Sequence, residues 1–118
     1  MSKPNEVSTR LRADVSVIDI RGDVTALAAQ PIEEAYQGVT AAGAKKILMV
    51  FAPECYINSG GIAVLIGILG EAKRQGQVVA FTGLTPHFQK VFAMVGLTKY
   101  AQIHRSEQEA LGQLGTPG

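Results

Sequence analysis

Sixteen consecutive residues, Cys55 to Gly70 (CYINSGGIAVLIGILG), carry no charge. A membrane-spanning helix takes about 20 predominantly apolar residues, and this run holds Asn58, Ser59, Gly60 and Gly61 near its start. It therefore reads as a core helix of a globular domain, from about Gly61 to Gln75, entered through a short polar loop. The core stripe is expected at Ile62, Leu65, Ile66, Leu69 and Ala72. Beside it, Val64, Gly67, Ile68 and Glu71 make a second, largely apolar face that Gly67 flattens. One helix seldom needs two apolar faces unless something covers the second.

The segments around this helix alternate in period. STRLRADVSVIDIRGD carries Val15, Val17, Ile18 and Ile20, β-branched and nearly alternating, which predicts two short strands or one long bent one. In PIEEAYQGVTAAG the spacing of Ile32, Ala35, Tyr36 and Val39 predicts a helix, with Pro31 in its first turn and Gly43 at its stop. KKILMVFA is apolar on both faces up to Pro53, the mark of a central strand. QVVAFTG reads as another buried strand. TPHFQKVFAMVGL opens on a Thr85 cap followed by Pro86 and stops at Gly96. KYAQIH reads as a short last strand, and SEQEAL as a capping box from Ser106 to Glu109 that starts a last helix holding Leu111 and Leu114. Strands followed by helix–strand alternation predict one α/β domain over 1–118. A mixed sheet of four or five strands would carry about four helices, mainly on one face, with loose tails at about 1–7 and 112–118.

Composition closes off several functions. Apolar residues make up 47% and charged residues 18%, and 11 basic against 10 acidic side chains leave a net charge of +1. No basic stripe calls for nucleic acid. A single cysteine permits no internal disulfide, and the opening MSKPNEVSTR lacks the apolar core of a signal peptide, so the expected location is the cytoplasm, without membrane insertion. His87, His104 and Cys55 lack metal-ligand spacing and read as surface or structural residues, Cys55 as a small hydrophobe. No cofactor is implied. Gly60-Gly61 is followed by Ile62 and Ala63, not by the Lys and Ser or Thr of a phosphate loop, and Ser59 lacks the flanking glycines of a nucleophile elbow. The chain does not read as an enzyme.

Ser59 has two readings. Asn58 or Ser59 could cap the helix, which accounts for the polar side chains. It does not account for two adjacent glycines, each of which costs backbone entropy. Bare backbone there suggests close approach by another group, and the positive end of a helix favours a phosphate carried on Ser59.

The stretch from YINSGGIAVLIG through FTGLTPHFQKVFAMVGLTKY to EQEAL resembles the STAS domain of bacterial anti-sigma-factor antagonists. The likeness runs from the IRGD strand end to the last helix. It is most specific in the I-[D/N]-S-x-G-[L/I] loop and in the GLT…FQKVFAMVGLTKY segment. The resemblance implies a phosphorylation-switched binding module that captures an anti-sigma Ser/Thr kinase of the histidine-kinase-like ATPase fold and so regulates sigma-factor-dependent transcription. A metal-dependent Ser/Thr phosphatase would reset it. Ser59 falls on the phosphoacceptor, and Asn58, Gly60, Gly61, Ile62, Val64, Gly67 and Ile68 on the docking surface. Asn58 and Val50 stand where the family commonly carries Asp. A second implied role is a STAS scaffold or subunit, without a phosphate cycle, in a signalling or lipid-transport complex.

Overall fold

A computed structural model describes residues 6–27 and 29–115. The chain runs β1 (Glu6–Arg12), β2 (Val15–Arg21), α1 (Gln30–Ala41), β3 (Lys46–Phe51), α2 (Ser59–Arg74), β4 (Val78–Thr82), α3 (Pro86–Met94), a 3-10 turn (Leu97–Lys99), β5 (Gln102–His104) and α4 (Glu107–Leu114). The five strands lie in sequence order, β1–β2–β3–β4–β5. The first pair is an antiparallel hairpin, with Arg12 opposite Val15, and the other three pairs are parallel.

This order dictates where the helices go. Crossovers between parallel strands are right-handed. When every crossover adds the next strand on the same side, all the crossover helices fall on one face. Accordingly α1, α2 and α3 cover Ile18, Ile20, Ile47, Met49, Phe51, Val79 and Phe81. Phe92 meets Phe51 and Phe81 there edge to face, and those two are tilted against each other, at centroid distances of 5.4 to 6.4 Å. α4 follows the last strand, is free of the crossover rule, and packs Ala110 and Leu114 on the opposite face against Val15, Val17, Leu48 and Ala80. Alternation along β3 thus feeds two cores, which is why its sequence is apolar from Ile47 to Phe51.

An ionic clamp joins α4 to the hairpin. Arg10 Nη1 donates to Glu107 Oε2 at 2.8 Å and its Nε to Asp19 Oδ2 at 2.7 Å. The Arg10 hydrogen bond holds the Glu107 carboxyl below its ordinary pKa, against a smaller opposing effect of burial.

Three boundaries differ from the sequence reading. Glu6 and Val7, expected in a loose tail, belong to β1 through pairing with Arg21 and Ile20. Gly112 to Leu114 likewise belong to α4, because Leu114 is buried in the second core. Residues 1–5 and 116–118 lie outside the described residues. Only Gln102–His104 of the expected strand KYAQIH pairs with β4, since Leu97–Lys99 turn tightly after the left-handed Gly96.

Candidate functional site

The loops after β2 and β3 leave the same end of the sheet, at the carboxyl ends of two neighbouring parallel strands. They continue the strands' pairing beyond the sheet. The Ala52 amide donates to Ile20 O at 2.9 Å, the Val24 amide to Tyr56 O at 2.7 Å, and the Asn58 amide to Val24 O at 3.1 Å. Val24 and Ile57 form a parallel bridge. Cys55 is buried in this junction, its Sγ donating to Ile20 O at 3.2 Å. Burial pushes the thiol pKa up, so Cys55 is a core residue and no nucleophile.

The rigid junction sets the start of α2. Asn58 is extended and its Oδ1 accepts from the Gly61 amide at 2.9 Å. Asn58 is therefore the cap, and Ser59 is the first helical residue, two positions earlier than the sequence start near Gly61. Because Asn58 does the capping, the exposed Ser59 hydroxyl is not committed to the helix start.

The glycine pair turns out to serve the chain itself. A Cβ on Gly61 would stand 2.1 Å from Val24 O, and one on Gly60 2.9 Å from Ala26 Cβ. The group that approaches the bare backbone is the β2–α1 loop. The glycines let that loop lie flat against α2, and they are not themselves a ligand cradle.

α2 sits in a different rotation from the one its periodicity suggests. Leu65, Ile68, Leu69 and Ala72 are buried, and Ile68 is only 6% exposed, while Ile66, expected in the core, is 48% exposed. Ile68 thus leaves the outer face and joins the core stripe. Its edge still lines a groove of about 670 Å³ between α1 and α2, together with Val64, Gly67, Tyr36 and Thr40. Glu33 and Glu71 rim this groove, and among the described residues no Lys or Arg lines it. A Cβ at Gly67 would meet nothing within 4 Å. Ser59, Gly60 and Gly61 form the first turn of α2; Ile62 and Val64 follow half-buried, and Gly67 is open to solvent.

Two exposed apolar side chains in the same two loops escaped the sequence reading. Leu27, next to Ala26, is 100% exposed, and Tyr56 stands out beside Phe88 at a centroid distance of 6.2 Å. Leu27 belongs to no periodic segment, and Tyr56 lies inside the uncharged run, so neither carried a local signal. Val50 is half-buried and packs with the second core beneath α4, a surrounding in which a carboxylate would need a partner. Among the described residues no group of three or more His, Cys, Asp or Glu could hold a metal ion. His87 is exposed, while His104 is buried between Gln102 and Glu109. No helix among them is long and apolar enough to cross a membrane.

A small mixed sheet with helices packed on both faces, and a capped serine turn at the carboxyl ends of its parallel strands, defines a recognisable class of α/β domain. The family model described as "Mlab, STAS domain" matches residues 7–105, and the chain belongs to the STAS domain family. Solved structures share the fold. An anti-sigma factor antagonist from Mycobacterium paratuberculosis superposes with a TM-score of 0.81 at 17% identity, over 98% of this chain and 100% of that one. An RsbS variant from Moorella thermoacetica gives 0.77 at 21%, over 92% and 94%. The phosphorylated form of the Bacillus cell fate determinant SpoIIAA gives 0.66 at 19%, over 92% and 98%.

Proposed function

We propose that the protein is an anti-sigma-factor antagonist, a cytoplasmic binding module with no chemistry of its own, switched by phosphorylation of Ser59. One observation carries the reading: capping falls to Asn58, so the exposed Ser59 hydroxyl is available at the positive end of a 16-residue helix. An anti-sigma Ser/Thr kinase of the histidine-kinase-like ATPase fold docks on the loop and the adjoining groove. Unmodified, the domain holds the kinase and frees its sigma factor. In the transfer step the Ser59 oxygen attacks the γ-phosphorus of ATP, ADP leaves, and the hydroxyl proton passes to solvent or a kinase base. The product adds roughly −1.5 to −2 charges. The α2 dipole favours that charge within the domain. At the docking surface the same charge repels an acidic partner and opposes burial of the loop against an apolar one. A metal-dependent phosphatase restores the serine.

Incubation with the cognate kinase and ATP, followed by mapping of phosphate by mass spectrometry, tests the reading. Modification at Ser59 alone is expected. Modification elsewhere, or none with a kinase active on another substrate, removes the switch.

A second reading is favoured by Asn58 and Val50, which bring no charge to positions where the resemblance places Asp. In it the same loop and groove dock a partner permanently, as in a scaffold or a subunit of a transport complex. A stable complex that survives ATP treatment unchanged would select it.

A further inference from the structure

The flank of α2 that faces α3 differs from the groove beside α1. There Ile66 is 48%, Val95 47% and Tyr100 59% exposed. Between them lies a slot of about 180 Å³, lined by Ile66, Val95 and Tyr100 over the buried Leu69 and Leu97, with Gly70 at its wall. Ligand sites run to about 300–1,000 Å³, so the slot has room for little more than one side chain. Its surroundings are cationic. Lys73 Nζ sits 5.5 Å from the Tyr100 ring centroid, and Lys99 of the 3-10 turn lines the same hollow as Lys73 and Tyr100. From Gln75 to Ser106 the chain has no Asp or Glu. The adjacent carboxylate on α2, Glu71, is bonded to Arg74 at 3.0 Å and Gln75 at 3.1 Å.

We infer that this flank is a second docking surface, for an acidic helical segment of a protein partner that inserts one large apolar side chain into the slot. An exposed apolar cluster with a preformed hole and unopposed lysines matches an anchor flanked by carboxylates. A lipid surface fits less well. It calls for protruding wedges and clusters of about 4–8 basic residues, whereas this patch is concave and the lysines beside Tyr100 are Lys73 and Lys99. The surface excludes Ser59, so it stands or falls independently of the phosphate switch.

The test uses an N-acetylated, C-amidated helical peptide of about 14 residues. It carries one Phe with Glu one turn before and after, and a control replaces each Glu by Lys. Titration into the labelled protein is followed by amide chemical shifts. Saturable shifts are expected at Ile66, Val95 and Tyr100, weakened by salt. Lys99→Glu and Gly70→Leu should each cost about tenfold or more in affinity, about 1.4 kcal/mol. A Cβ at Gly70 meets only the tip of Arg74, at 4.0 Å, so the backbone accepts a side chain there, and a leucine on this wall of the slot is expected to obstruct it. Circular dichroism checks that the variant folds. The inference is overturned by absent shifts, by shifts confined to the α1–α2 groove, or by equal binding of the Lys control. Co-sedimentation with phosphatidylserine vesicles that Gly70→Leu leaves intact would reassign the surface to a membrane and overturn it too.

Discussion

The first and third turns of α2 each contain glycine, for opposite reasons. At Gly61 a Cβ would lie 2.1 Å from the Val24 carbonyl oxygen, whereas at Gly67 it would meet nothing within 4 Å. One glycine is demanded by packing inside the domain. The other is superfluous to the isolated fold, where glycine in a helix costs roughly 0.5–1 kcal/mol relative to alanine. Gly67 lines the groove between α1 and α2, so an added side chain there would reach into that groove without disturbing the fold. The first turn is thus fixed by packing within the domain, the third is the part of α2 that the proposed docking would use, and Ser59 stands at the start of the helix that joins them.

Substitution separates the two regions. Gly61→Ala has to displace backbone and is expected to cost about 3 kcal/mol, read as a lower denaturant midpoint at unchanged slope. Gly67→Ala is expected to add up to about 1 kcal/mol and yet weaken partner binding. A destabilised Gly67→Ala would show that the open glycine answers a constraint within the fold. Asn58→Ala removes the cap and should cost about 1 kcal/mol. Asn58→Asp keeps the cap, adds charge at the positive helix end, and should gain about 0.3–1 kcal/mol at neutral pH and low salt. A smaller effect concerns the opposite face. Glu107 has its folded pKa lowered by Arg10, so its contribution is complete above the ordinary carboxylate pKa and is lost as pH falls through the lowered value. Arg10 stays charged throughout. Glu107→Gln should flatten that acid limb of the stability profile, and an unchanged limb would mean that the clamp contributes nothing.

Capping chemistry was the most legible part of the chain. Thr85 accepts from the Phe88 amide and Ser106 from the Glu109 amide, as their spacing suggested. β3 was legible as a central strand because both its faces are apolar. The phase of α2 was not. Ile62, Val64, Leu65, Ile66, Ile68 and Leu69 make it apolar around most of its circumference, so periodicity gives the width of the buried stripe but not its centre. Only contact with the sheet puts Ile68 inside and Ile66 outside. The glycine pair was legible as a close approach, but its partner, the Val24–Ala26 segment, is some 35 residues earlier in the chain. That partner could not be inferred locally. Glu6 and Val7 likewise acquire structure only through pairing with the end of β2.

In the proposed switch Ser59 is the residue that turns docking off. Its most direct test is a calorimetric titration of the cognate kinase with wild-type, Ser59→Ala and Ser59→Asp proteins, in the presence of ATP. Ser59→Ala should form a lasting complex, and Ser59→Asp should bind at least about tenfold more weakly. Equal affinity of the alanine and aspartate variants, with both folded, would contradict the switch and leave a domain that docks its partner permanently.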